Sequence, residues 1–161
     1  MGGYGSTRWR THYKKRLVEG CYSIDILDFE RKGILNKPGY LGYNIWYDKR
    51  TGKEIASIGI EVELRQDGVY VLYLKYNVSN DYGQEKIGIP VYMCTSRTYF
   101  GGTRKWFICP ITINGKWCGR RVRKLYLPQD EKYFGCRHCH RLTYLKTQER
   151  GKKVYWWYGF R

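Results

Sequence analysis

From residue 41 to residue 95 apolar and polar positions alternate with a period of two. Ala56, Ile58, Ile60, Val62 and Leu64 fall on one side, while Ser57, Gly59, Glu61, Glu63 and Arg65 fall on the other. Tyr70, Leu72, Leu74, Tyr76 and Val78 are mutually in phase, as are Ile87, Ile89, Val91 and Met93. This periodicity belongs to strands with one buried face. Turn residues divide the run into four strands, Leu41–Tyr47, Glu54–Arg65, Val69–Val78 and Lys86–Thr95, joined as an antiparallel meander. Pro90 lacks an amide hydrogen and places the fourth strand at an edge or a bulge.

Upstream the period lengthens. Ser23 reads as an N-cap, with Asp25 in the first turn opposing the helix dipole. Ile24, Leu27 and Phe29 then face inward at helical spacing, and Gly33 closes the helix. Beyond residue 120, Arg120–Leu127 alternates as a further strand that Pro128 ends, and Arg141–Arg150 can form a short helix stopped at Gly151. The expected fold is therefore α+β. An N-terminal helix and a four-stranded antiparallel meander precede a small C-terminal unit that ends in a short helix.

That C-terminal unit carries the most specific chemistry. Cys136-x-x-Cys139 has the two-residue spacing of a metal knuckle, and Cys109 with Cys118 forms a wider pair around Pro110–Trp117. Two such turns converging give a closed four-sulfur tetrahedral shell, so Cys109, Cys118, Cys136 and Cys139 are expected to hold one structural zinc ion as a zinc ribbon. His138 and His140 lie close enough in sequence for either to replace one cysteine. Cys21 and Cys94 stand alone and read as small buried hydrophobes.

Composition sets the organisation. The chain of 161 residues is 42% hydrophobic, enough for a modest core, and 17% aromatic. The expected divisions are a basic glycine-rich arm (1–16), a helix-plus-sheet domain (17–97), the zinc ribbon (98–150) and an aromatic basic tail (151–161). No uncharged apolar run approaches the ~18 residues of a membrane span, and the N-terminus lacks the apolar core of a secretory leader. A reducing, cytoplasmic setting follows as the expectation, and there paired cysteines more often bind metal than form disulfides.

The formal charge of +16 is unevenly spread. Residues 1–20 contribute +4, residues 21–96 contribute −1 and residues 97–161 contribute +13. Such a concentrated excess is the footprint of polyanion binding. Arg104, Lys105, Arg120, Arg121, Arg123, Lys124, Arg137 and Arg141, with Arg8 and Arg10 of the arm, are the candidate nucleic-acid contacts. Arginine forks suit phosphates and guanine edges, and Trp106 and Trp117 can stack on bases.

Four stretches also carry a resemblance. Met1-Gly2-Gly3-Tyr4-Gly5-Ser6-x-Arg8-Trp9 opens the chain; Tyr99–Pro110, Cys118–Pro128 and Tyr133–Tyr144 hold the cysteines. Together they are similar to a set of small, poorly characterised bacterial proteins found in mobile-element and phage contexts. The resemblance implies a zinc-ribbon protein and no particular reaction. Thr7 stands where that set has glycine, and the segment between Cys109 and Cys118 is longer than the set's.

Catalytic patterns are sparse. There is no His-Glu-x-x-His, no Gly-x-Ser-x-Gly and no phosphate-binding Gly-x-x-x-x-Gly-Lys loop. A zinc-ribbon nucleic-acid-binding protein, DNA preferred over RNA and with a regulatory role, is the leading expectation, and no enzymatic activity is expected of it. The alternative is a protein-interaction module, such as a mobile-element inhibitor docking on a nucleic-acid enzyme. A small nuclease built on His138 or His140 with Glu61, Glu63, Asp130 or Glu131 ranks third.

Overall fold

The computed structural model describes residues 14–80 and 83–149. The expected arm falls mostly outside these residues, and the aromatic tail falls wholly outside them. In chain order the elements are β1 (Tyr22–Asp25), α1 (Ile26–Arg31), β2 (Tyr40–Tyr47), β3 (Glu54–Leu64), β4 (Tyr70–Asn80) and β5 (Gly83–Arg97). They continue with β6 (Thr103–Ile108), β7 (Thr112–Ile113), β8 (Lys116–Trp117), β9 (Arg121–Val122), β10 (Lys124–Leu127) and α2 (Leu145–Glu149). No helix among the described residues is long and apolar enough to cross a membrane.

The period-two stretch forms strands β2 to β5 in the order in which it is written. Register follows the alternation: Ile60 lies opposite Leu74, Val62 opposite Leu72, and Leu72 and Leu74 opposite Val91 and Ile89. Ile58, Ile60, Val62, Leu72, Leu74, Ile87, Ile89 and Val91 are buried on the inner face. Leu64, at the end of β3, is instead 43% exposed, because the sheet ends before it is covered. On the outer side the edge strand β2 leaves Leu41, Tyr43, Ile45 and Tyr47 exposed.

The α+β expectation is overturned: the fold is mostly β, and its helices are short. The sheet does not stop at four strands. β5 is fifteen residues long and serves two partners. Val71–Asn80 of β4 pair with Gly83–Tyr92, and Met93–Arg97 pair with β6. β6 then pairs with β9, giving a curled antiparallel sheet in the order β2-β3-β4-β5-β6-β9. Residues 93–108 thus form a β-hairpin that carries the sheet onward to the first knuckle.

The N-terminal helix is also shorter than its sequence suggested. Tyr22–Asp25 form β1, which pairs with β10, so Ser23 lies opposite Tyr126 and is no N-cap. Asp25 holds that position, its carboxylate accepting from the Leu27 amide at 3.0 Å. Ile24 is buried on a strand, Ile26 and Phe29 supply the helix's buried face, and Gly33 ends the segment at φ +66°. Pairing of β1 across the chain outweighs one turn of local helix preference. Arg120–Leu127 likewise is not one strand. It breaks at Arg123, β9 joining the large sheet and β10 joining β1. The last helix is Leu145–Glu149, since Arg141 sits in the left-handed region at φ +52°.

One hydrophobic cluster ties these parts together. Phe29 meets Phe107 edge-on at 6.2 Å, and Phe134 contacts Trp46 and Tyr76 with ring centroids at 6.4 and 5.5 Å. Cys109 and Cys136 belong to the same cluster. The candidate metal ligands are therefore continuous with the core of the sheet.

Candidate metal centre and cationic surface

Three segments bring the four cysteines together. Cys109 follows β6 directly, its amide donating to the Arg120 carbonyl at 2.9 Å. Cys118 follows β8, and its amide donates to the Ile111 carbonyl, also at 2.9 Å. Between them β7 and β8 form a hairpin turned by Asn114 and Gly115, both at positive φ (+50° and +74°). An Asn-Gly pair of this kind is the strongest short hairpin signal in a sequence. Here it explains how eight intervening residues still return Cys118 to Cys109. The second knuckle is held by Gly135, whose amide and carbonyl exchange hydrogen bonds with Tyr126 of β10 at 2.9 and 2.8 Å.

The four sulfurs all lie within 4.8 Å of one another. Cys109 to Cys139 is 3.8 Å, Cys118 to Cys136 is 3.9 Å and Cys136 to Cys139 is 3.5 Å. A tetrahedron with metal–sulfur bonds of about 2.3 Å, the zinc–thiolate length, has edges of about 3.8 Å. These spacings also far exceed a disulfide bond. The residues present fit a closed four-sulfur metal site. Two amides support it, Cys136 donating to Cys109 Sγ at 3.2 Å and Cys139 donating to Cys136 Sγ at 3.4 Å.

Electrostatics point the same way. A hydrogen bond from Cys109 holds the Cys136 thiol down to about 4. The same bond, together with burial, pushes Cys109 up. Burial, reinforced by Cys118 and Cys136, pushes Cys139 up to about 12. Thiols this close cannot all ionise without a cation among them.

Neither histidine joins the sulfur cluster. His138 is exposed. His140 is buried, and burial keeps it neutral, below the ordinary histidine range. Its Nε2 has no hydrogen-bond partner among the described residues. It packs against Gly135, where a Cβ would stand 2.7 Å from that nitrogen and 2.6 Å from Ile111 Cγ1. Cys21 and Cys94 are half-buried and lie away from the cluster.

The cationic residues fare unequally. Arg123 grips the buried Asp25 through Nε at 3.0 Å and a second nitrogen at 2.6 Å, and Lys124 Nζ lies 3.5 Å from the same carboxylate. Lys105 bonds Asn36. Arg104 lies over the Trp106 ring at 4.3 Å, and Arg137 over Tyr144 at 5.5 Å. Arg120, Arg121 and Arg141 are exposed and, among the described residues, have no carboxylate partner. Arg8 and Arg10 lie outside the described residues.

Two features of this surface were not singled out from the sequence. Asp25 as the anchor of Arg123 carries no local signal, because the two are 98 residues apart. Tyr99 and Phe100 sit at the β5–β6 turn; a Gly-Gly pair between two alternating runs marks such a hairpin. Comparison of the chain with protein-family models, with curated proteins and with solved structures gives no match.

Proposed function

We propose that this chain is a zinc-stapled β protein that binds nucleic acid, DNA in preference to RNA, in a regulatory role. One observation carries the reading. From Lys86 to Gln129 the chain contains nine lysines and arginines and no aspartate or glutamate. That stretch forms β5 to β10 and the first knuckle, so its charge is mounted on a sheet stapled by sulfur rather than dispersed on a loose segment. A surface serving only solubility needs both signs interspersed. Cationic side chains held rigidly release counterions from a phosphate backbone on contact, which drives association. Zinc is the metal proposed, since it takes four thiolates in tetrahedral geometry and has no redox chemistry of its own.

Arg120 and Arg121 are the residues to test. Both are exposed, and neither supports the fold as Arg123 does through Asp25. In fluorescence anisotropy with labelled DNA, the parent is expected to lose affinity steeply as salt rises. Arg120→Ala with Arg121→Ala should weaken binding and lower the log–log salt slope by about 2, one unit for each arginine taken off a phosphate. Unchanged affinity and slope in that variant would falsify the assignment.

A further inference from the structure

Resting on that reading, we propose that the β5–β6 hairpin is a base-stacking probe for unpaired nucleotides. In this view Tyr99 and Phe100 stack on open base faces while the arginines of the stem hold the strand's phosphates.

Tyr99 and Phe100 are 96% and 95% exposed. Two adjacent large aromatic side chains left so bare have no packing role in the described chain. The turn that carries them is nevertheless fixed by hydrogen bonds. The Thr98 amide donates to the Gly102 carbonyl at 3.1 Å, and the Gly101 amide to the Thr98 carbonyl at 3.2 Å. Thr98 Oγ1 donates to the Gly101 carbonyl at 2.8 Å. The rings meet edge to face, with centroids 5.3 Å apart and planes at 89°. The turn is thus pre-ordered and the rings keep surface free, which lowers the backbone entropy cost of stacking on a ligand.

The stem continues the pattern. Arg97 lies opposite Thr103 and Ser96 opposite Arg104, so the two arginines flank the tip on opposite faces of the hairpin, and Arg104 is the one on the face of Trp106. On β6 the fully buried Phe107 faces the core, which turns Arg104, Trp106 and Ile108 outward. Trp106 Nε1 donates to Ser96 Oγ at 2.8 Å, fixing the indole beneath the Arg104 guanidinium. Arg104 Nε is buried with no hydrogen-bond partner among the described residues. Arg121 stands opposite Ile108 at the far end of the row. From tip to knuckle the outward surface therefore runs aromatic pair, cation, aromatic, and then Ile108 beside the cation of Arg121. No carboxylate lies on this stretch of chain.

Single-stranded nucleic acid has the matching chemistry, with phosphates along one edge and π faces open on the other. In a duplex those faces are already stacked on one another. A stretch with cations and no carboxylate from residue 86 to residue 129 favours a polyanion over a protein surface of mixed charge.

The test uses the full metal-loaded chain and the variant Tyr99→Ala with Phe100→Ala. The side chains are exposed, so thermal unfolding should be unchanged. The probes are a labelled mixed-sequence single strand of about 16 nucleotides as DNA and as RNA, the duplex of the same sequence, and heparin, a polyanion without bases. Vesicles containing phosphatidylglycerol are a fourth probe. The parent should bind the single strand more tightly than the duplex. The variant should lose about tenfold or more on the single strand while heparin binding stays within about twofold.

Equal binding of parent and variant to the single strand overturns the probe and leaves the nucleic-acid reading standing. A loss of the same size on all polyanions overturns it too, because bases would then not be what the tip touches. Vesicle binding that needs the two aromatics, without oligonucleotide binding, would make the tip a membrane anchor instead. A parent that binds none of the oligonucleotides removes both readings.

Discussion

At the residue scale, Asp25 joins more of the molecule than its position suggests. It caps α1, forms a forked ion pair with Arg123 and is only 7% exposed. The Ile26 amide reaches the Arg123 carbonyl at 3.1 Å, so backbone and side chain lock the same two segments. Burial works against the Asp25 charge, but hydrogen bonds from Arg123 and the Leu27 amide outweigh it and hold the carboxyl below its usual range. A carboxyl depressed in the folded state adds stability that is present above the unfolded value, about 3.9, and lost as pH falls through the folded value. Asparagine keeps the cap and removes only the charge. The gap between parent and Asp25→Asn in denaturant unfolding should therefore be steady from neutral pH to about pH 4 and close below it. Asp25→Ala should lose a further ~1 kcal/mol with the cap. A gap that does not change with pH would mean the ion pair contributes nothing.

At the element scale, the second knuckle depends on one close approach. Gly135 sits between the first-knuckle hairpin and His140, with space for a hydrogen and none for a methyl. Ile111 belongs to the segment that carries Cys109 to β7, so a side chain at residue 135 would drive the two knuckles apart. Gly135→Ala is expected to destabilise the protein by about 1–3 kcal/mol, as overpacking does. Its metal should also be released to a chromogenic chelator faster than the parent's. If release is unchanged, the knuckles tolerate the strain and the contact does not set metal retention. The hairpin of β7 and β8 performs the complementary task, since its Asn-Gly turn lets a long insert close without moving either cysteine.

For the whole molecule, the four-cysteine cluster and the sheet form one unit. Cys109 and Cys136 pack in the cluster that includes Phe107, Phe134 and Leu125, and β6 runs from the aromatic hairpin at one end to Cys109 at the other. Metal analysis of the native chain should find one zinc per molecule. Cys109→Ser or Cys136→Ser should remove it and collapse near-ultraviolet circular dichroism across the whole fold, because structural zinc binding of this type supplies on the order of 10 kcal/mol. Cys21→Ser and Cys94→Ser, away from the cluster, should keep both metal and spectrum. Loss of metal with the sheet signal intact would show that the two fold separately.

What could be read from the residues was what depends on neighbours in the chain. The period-two alternation marked β2 to β5 as strands and, Leu64 apart, the inner faces of β3 to β5, because strand sidedness is a local property of the backbone. Spacing and type marked Cys109, Cys118, Cys136 and Cys139, because two pairs of thiols at turn spacing can close a tetrahedral metal shell by themselves. Pairing across the fold was decided elsewhere. Whether Tyr22–Asp25 begins a helix or joins β10, where β9 parts from β10, and whether Arg123 meets a phosphate or Asp25 all turn on segments about a hundred residues apart. Such contacts exist only once the sheet has curled, and their energies outweigh the local preferences that a linear reading can see.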